Sequence, residues 1–327
     1  MTDGIAGIGE RLRDWADDLQ RRRTVFGFPY AVIKKYGDDE GGRHAALLTY
    51  YGFLSIFPLL LLAVALVQTV LQGNPKLRDE LIAQVVPPDL QQTVNDALAR
   101  LPSNGVPLVI AIVGLLFSTM GIVFSAYQTL NHLAAVPHRK RHEFFPRYLR
   151  IFAMLVVLIV GVLGIGALGV VVAAIPDLPG DSRGAAALGT ALLVFLMLWA
   201  ATGLLLPHRA RFAIVWPAAL LGSLTITLLL SFGATVLPRL VAKSGVVYGS
   251  FATIVGVFTL LYLVSQVLVY AGEVAIVRRR RLWPRALDMT KPTTADRRAL
   301  TYLAREQERT VVERIGTRFD AEPDGPD

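Results

Sequence analysis

Of the 327 residues, 54% are hydrophobic and 18% charged, and the mean hydropathy is +0.50. Soluble domains carry about 25% charged residues, so this chain is too apolar to be one. It has no cysteine, which excludes a disulfide framework and thiolate metal ligation, and its net charge of +8 sits beside apolar runs, where it suits membrane orientation and anionic lipid better than nucleic acid.

The elements follow in chain order. Ile5, Ile8, Leu12, Trp15 and Leu19 recur every three or four residues, one stripe of a helix, with Arg21, Arg22 and Arg23 off that stripe. The pattern fits a helix lying in the inner membrane interface and equally one packed on the protein's own cytoplasmic face. Six stretches are then long and apolar enough for a bilayer core about 30 Å thick. They run from Ala45 to Leu71, Pro107 to Leu130, Ile151 to Ile175, Ala185 to Leu206, Phe212 to Leu237 and Val246 to Val277. Spans four and five are joined by five residues, a tight hairpin. Between spans one and two, residues 72–106 carry two helical patterns separated by Pro87 and Pro88 and predict an external helical cap. After span six come Arg278, Arg279, Arg280 and Arg281, then Trp283, an interfacial stop. A charged helix is expected from Thr294 to Ile315, with disorder over the acidic residues 320–327.

Assigning alternate segments to opposite sides places 27 of the 33 Lys and Arg residues on the side of both termini and 6 on the other. The positive-inside rule therefore predicts cytoplasmic termini. The expected fold is all-α and polytopic, with about six transmembrane helices. A cytoplasmic amphipathic basic arm (1–44) precedes the transmembrane domain (45–277), and a cytoplasmic, basic, partly disordered tail (278–327) follows it. The first apolar run begins only at Ala45 and is too long for a signal-peptide core, so no cleaved leader is expected.

Few residues have the look of chemistry. His138 and His142 with Glu143 have metal-ligand spacing, but Arg139, Lys140, Arg141 and Arg147 crowd the same loop and oppose a cation, so neither metal nor cofactor is expected. No phosphate-binding loop, nucleophile elbow or zinc-protease motif occurs, and no enzyme activity is predicted. Polar residues inside spans carry more information, because each costs desolvation. Thr259, Tyr262, Gln266, Tyr270 and Glu273 fall within a sector of about 80° on span six. Tyr51, Ser55 and Pro58 share a face of span one, and Ser118, Gly121, Ser125 and His132 one side of span two, with Gln128 and Asn131 nearby. Hydroxyls here are satisfied by helix carbonyls and read as packing. Glu273 is the one acid well inside a span, and it admits both a functional role and an interfacial ion pair with Arg278.

The run Ala45-Ala46-Leu47-Leu48-Thr49-Tyr50-Tyr51, followed by Ser55-Ile56-Phe57-Pro58-Leu59, resembles the first-span signature of the YihY/BrkB family of bacterial inner-membrane proteins. Gly121 through Asn131, Leu206-Pro207, Tyr248-Gly249-Ser250 and Leu261-Tyr262-Leu263 with Gln266 match as well, so the resemblance covers about Tyr30 to Arg281. Ala271-Gly272-Glu273 departs from the family's usual Gly-Ala-Glu, and Ala218 stands where a glycine is usual. The resemblance implies a six-span helical fold and a role in envelope integrity. Members have been associated with serum resistance and export of lipopolysaccharide precursors, and carried the label ribonuclease BN. These residues give that label no support, since clustered acids, bases or metal ligands facing water are lacking.

The function expected is transport, or flippase-like export, of an amphipathic envelope lipid or precursor across the bacterial inner membrane. Its path would lie along Tyr51, Ser55, Pro58, Asn131, Tyr262, Gln266, Tyr270 and Glu273, with membrane lipids as the surroundings and no nucleic-acid partner. The alternative is a non-transporting scaffold that binds envelope proteins through arm and tail. Without a nucleotide-binding element, any driving force is an ion gradient, the substrate's own gradient or a partner.

Overall fold

The computed structural model describes residues 17, 20, 24–71, 96, 106–141, 144–173, 181–205, 216–233 and 250–319. Among them all regular structure is helical. The helices are α1 (Thr24–Asp38), α2 (Gly41–Leu71), α3 (Val106–Leu133), α4 (Phe144–Ala173), α5 (Asp181–Leu205), α6 (Trp216–Gly233), α7 (Ser250–Arg280) and α8 (Thr294–Glu306). A helix overlies each of the six predicted apolar stretches. Gly184–Leu205, Trp216–Gly233 and Ile254–Arg280 are long and apolar enough, over their described residues, to cross a membrane. The expected cap at 72–106, the stripe from Ile5 to Leu19, Arg21 to Arg23, the hairpin at 207–211 and the tail end at 320–327 lie outside the described residues, apart from single positions.

The outer surface of the bundle is apolar. Val109, Val113 and Phe117 on α3, Leu149, Phe152, Val156 and Val160 on α4, Leu188, Leu192 and Leu196 on α5, and Leu221, Leu224 and Leu228 on α6 form stripes at helical spacing that are all exposed. Phe117 is 83% exposed. Apolar stripes this long facing outward fit lipid as the surrounding solvent, because backbone groups are already satisfied within the helices.

Small residues set how closely the helices approach. Tyr51 on α2 lies over Gly121 of α3, Pro58 over Gly114, and His44 Nδ1 is 3.0 Å from Thr129 Oγ1. Steps of seven along α2 are matched by steps of seven and eight in the opposite direction along α3, so the two run antiparallel in a near-heptad register. Pro58 leaves a helix carbonyl without its usual donor, while Ser55 and Thr49 donate back to the carbonyls of Tyr51 (2.9 Å) and Ala45 (2.8 Å).

At the other end of the bundle the helices stop abruptly. Ala135 after α3 and Arg281 after α7 have φ of 42° and 51°, left-handed values that end a helix. Val136 N then donates to Asn131 O at 2.9 Å and Leu282 N to Val277 O at 3.1 Å, the bonding of a Schellman motif. Leu282 and Val277 pack together with Ala31 and Val32 of α1 and Ala299 of α8, so the stop after α7 brings arm and tail residues onto the bundle. α8 begins with a capping box in which Thr293 Oγ1 accepts from Asp296 N and the Asp296 carboxylate accepts from Thr293 N. It ends at Glu306, short of the predicted Ile315. There Gln307 N and Glu308 N turn back to Ala304 O and Arg305 O, and Glu308 leaves the helix direction to pair with Arg139 at 2.7 Å. A tertiary ion pair overrides the local helical pattern.

A Cβ on Gly121 would lie 2.4 and 2.6 Å from two carbons of the Tyr51 ring, closer than van der Waals contact allows. Gly121→Ala is expected to destabilise the folded protein by about 1–3 kcal/mol. Its thermal midpoint in detergent should fall and recover in a Tyr51→Ala, Gly121→Ala double variant; an unshifted midpoint would show that this contact does not set the α2–α3 spacing.

Candidate functional site

Charged side chains gather where α1, α7, α8 and the loop after α3 meet. Lys35, on the inward face of α1, pairs with Asp39 one turn later and with Glu273 Oε2 of α7 at 3.0 Å, and it donates to the Leu133 carbonyl at 3.0 Å. Glu273 is fully buried. Its counter-charge is therefore the lysine of another helix rather than Arg278, the neighbour that sequence spacing offered.

The adjacent Lys34 faces the tail, 3.2 Å from Asp296 Oδ1. Asp296 is buried and is the centre of the tail's fold. Its carboxylate receives Arg285 Nε at 2.6 Å, Ala286 N at 2.8 Å, Thr293 N at 2.9 Å and Thr293 Oγ1 at 2.7 Å. Burial alone would raise its pKa, but the bonds from Ala286, Arg285 and Thr293 outweigh burial and hold the carboxyl well below the usual range. Arg285, itself fully buried, also reaches Asp38 of α1 at 2.6 Å, and its carbonyl accepts from Gln20.

A third centre joins the tail to α3. Glu306 of α8 takes Arg141 Nη2 at 2.6 Å and His132 Nδ1 at 2.9 Å, while its own carbonyl is 2.7 Å from His138 Nδ1. His138 Nδ1 is thus engaged with that carbonyl, while His142 and Glu143 lie outside the described residues. Of the arginines expected at the membrane surface, Arg278, Arg279 and Arg281 are exposed, whereas Arg280 lies 3.9 Å over the Tyr302 ring and donates to Ala134 O.

The residues of the expected path are accounted for one by one. Tyr51 and Pro58 fill the α2–α3 seam. Ser55 is spent on a helix carbonyl. Asn131, fully buried, donates to Tyr127 O at 2.7 Å and to Leu205 O at 3.2 Å, tying α3 to α5. Tyr270 stacks on Tyr36 of α1 with centroids 4.1 Å apart, Tyr262 packs against the Ala45, Leu48, Leu133 and Val269 cluster, and Gln266 is half-buried. In span two, Ser125 is buried, and the side chain of Ser118 lies outside those described.

Open space lies elsewhere. A cavity of about 380 Å³ is lined by residues of α2 through α7, within the usual range of about 300–1,000 Å³ for ligand pockets. Its wall is apolar, with Ile122 and Leu130 of α3, Leu158 of α4, Ala201 of α5, Ala219 of α6 and Leu268 of α7 among its residues. Thr129 and Thr202 are polar exceptions, and Arg279 is its charged member, one residue before the end of α7. None of the eight expected path residues lines it. The polar stripe of α7 faces α1 and α2, and the adjoining face, with Val264, Leu268, Ala271 and Ala275, faces the cavity.

Sequence reasoning missed Lys35, Asp39, Arg285, Asp296 and Glu306. Lys35 and Asp39 do carry a signal, a basic and an acidic residue four apart just before span one, but charge counting used Lys35 for orientation alone.

Removing one member of a buried pair is costly, and Asp296→Ala should destabilise the tail by about 3–5 kcal/mol. Because the folded carboxyl binds its proton less tightly than the unfolded one, its contribution is complete above the ordinary carboxylate range and declines as pH drops below it. Limited proteolysis of the tail should accelerate on acidification in the parent protein. In Asp296→Ala it should be fast at every pH. An equal rate for both proteins near neutrality would remove Asp296 from its central place.

The family model described as virulence factor BrkB matches residues 32–294, most of the chain, and reaches beyond Arg281 to take in Arg285. No curated protein and no solved structure matches. With its outward apolar stripes and its long apolar helices, and on the extent of that match, the chain belongs to the BrkB family of membrane proteins.

Proposed function

We propose that this chain crosses the bacterial inner membrane six times with both termini cytoplasmic, and that it takes an amphipathic envelope lipid or lipid precursor into its helix bundle and moves it, without catalysis of its own. The 27-to-6 division of Lys and Arg supports the orientation. The observation that carries the function is the apolar cavity of about 380 Å³ with Arg279 in its wall. An apolar wall suits an alkyl chain, and a guanidinium near the end of α7 suits an anionic headgroup held at the inner interface. The motif-poor sequence supports a role by binding and movement rather than by reaction.

A second reading has an observation of its own. Val311 and Val312 in the tail are 77% and 90% exposed, as is Val25 of α1 at 77%, and exposed apolar residues on cytoplasmic parts suit a scaffold that binds partner proteins.

Two measurements test the proposal. Single cysteines at Ser103 and Ser182 should react with an impermeant maleimide in intact cells and one at Thr294 should not; labelling at Thr294 would reverse the orientation. In proteoliposomes, the full chain should move a fluorescent phosphatidylglycerol between leaflets. Ala201→Phe, which projects a ring into the cavity, should slow that movement roughly tenfold or more, equivalent to at least about 1.4 kcal/mol, with unchanged elution on size exclusion. Movement indistinguishable from empty liposomes would favour the scaffold.

A further inference from the structure

Two carboxylates and one ammonium are sealed together at the inner end of the bundle. Lys35, Asp39 and Glu273 have side chains at most 7% exposed. The lysine donates to Asp39 and to the Leu133 carbonyl, and its ammonium lies 3.0 Å from Glu273 Oε2 as an ion pair. Asp39 Oδ1 and both Glu273 carboxylate oxygens, all buried, have no hydrogen-bond donor among the described residues. If both acids were ionised, the three side chains would carry one uncompensated negative charge and three carboxylate oxygens without donors away from water, an arrangement that costs several kcal/mol. One proton on either carboxyl removes the excess charge and creates an O–H donor.

The surrounding charges do not replace that proton. Arg280 of α7 is turned to the Ala134 carbonyl and the Tyr302 ring. Asp38 of α1 pairs with Arg285, and Glu306 of α8 with Arg141 and His132. His44 of α2 bonds Thr129, and the phenols facing the group are Tyr36 of α1 and Tyr262 and Tyr270 of α7. A pocket of about 10 Å³, room for one water, is lined by Lys35, Asp38, Asp39, Arg280 and Tyr302. It leaves room for one water beside Lys35 and Asp39.

We infer that Lys35, Asp39 and Glu273 form a binding site for a single proton, which passes from water in the small pocket onto a carboxylate oxygen and returns by the same route. Only an O–H bond is made and broken. Burial pushes the Asp39 carboxyl up from its ordinary value, against the opposing pull of Lys35, in keeping with a proton held there. Because Asp39 and Lys35 belong to the arm and Glu273 to α7, occupancy of the site sets how firmly α1 is held to the bundle. A loaded site leaves neutral α1–α7 contacts, and an empty one leaves a buried negative charge that favours opening. The inference does not depend on the cavity's occupant. It supplies the ion that a gradient-driven transporter needs, and it stands equally in a scaffold.

The experiment is infrared difference spectroscopy of the full chain in lipid nanodiscs at neutral pH, with exchange from H₂O to D₂O identifying protonated carboxyls. The expected spectrum contains a carboxylic-acid stretch that is lost in Asp39→Asn or in Glu273→Gln and kept in Asp38→Asn. Lys35→Met, which leaves both acids without a counter-charge, should roughly double it. Should Glu273→Gln fail to fold, Asp39→Asn and Lys35→Met read the same site. A spectrum without the band in the parent protein, or a band surviving in both Asp39→Asn and Glu273→Gln, would overturn the inference, whatever the outcome of the lipid-movement assay.

Discussion

A lysine withdrawn from water must take counter-charge with it, and the placement of Lys35 organises this end of the helix bundle around that requirement. The ammonium is fixed by Asp39 just beyond the end of its own helix, by Glu273 from α7 and by the last carbonyl of α3. Three elements are thus held by one side chain. Lys34, next along the helix, turns the opposite way and meets Asp296, so two consecutive residues clamp α1 between bundle and tail. Arg285, ahead of α8, and Glu306, at its last residue, repeat the device. Breaking any one of these pairs strands a buried charge, which makes the arm, the tail and the bundle a cooperative unit rather than a core with loose extensions.

That organisation separates two faces of α7 that the sequence joins into one impression. Tyr262, Tyr270 and Glu273 are polar because α1 and α2 pack there and need specific partners. The adjoining face, with Leu268, Ala271 and Ala275, is apolar and small because it borders open space. In a membrane the polar stripe is the fastening and the apolar face is the candidate binding surface, the reverse of what an aqueous path would require.

What was legible in the sequence follows from which interactions are local. Helix existence depends on the apolar length of one segment, so all six stretches were readable from Ala45 onward, and the start of α8 was expected at Thr294, where the helix begins. Glu273 was conspicuous as a lone intramembrane acid, yet its partner could not be read, because Lys35 lies at the other end of the chain and only the fold brings them together. The same applies to Arg139, whose pairing with Glu308 ends α8 early. The cavity was not legible either. It arises where side chains of six helices fail to fill a common space, and no single segment carries a trace of that.

The central claim is that the apolar cavity is a binding site inside a bundle fastened by buried charge, and its most direct test is an experimental structure of the full chain in native lipid nanodiscs. The account predicts elongated density between α3, α4, α5, α6 and α7 with its polar end at Arg279, and Lys35 in contact with Glu273. A tightly packed interior without that density, or Lys35 turned away to solvent, would contradict it.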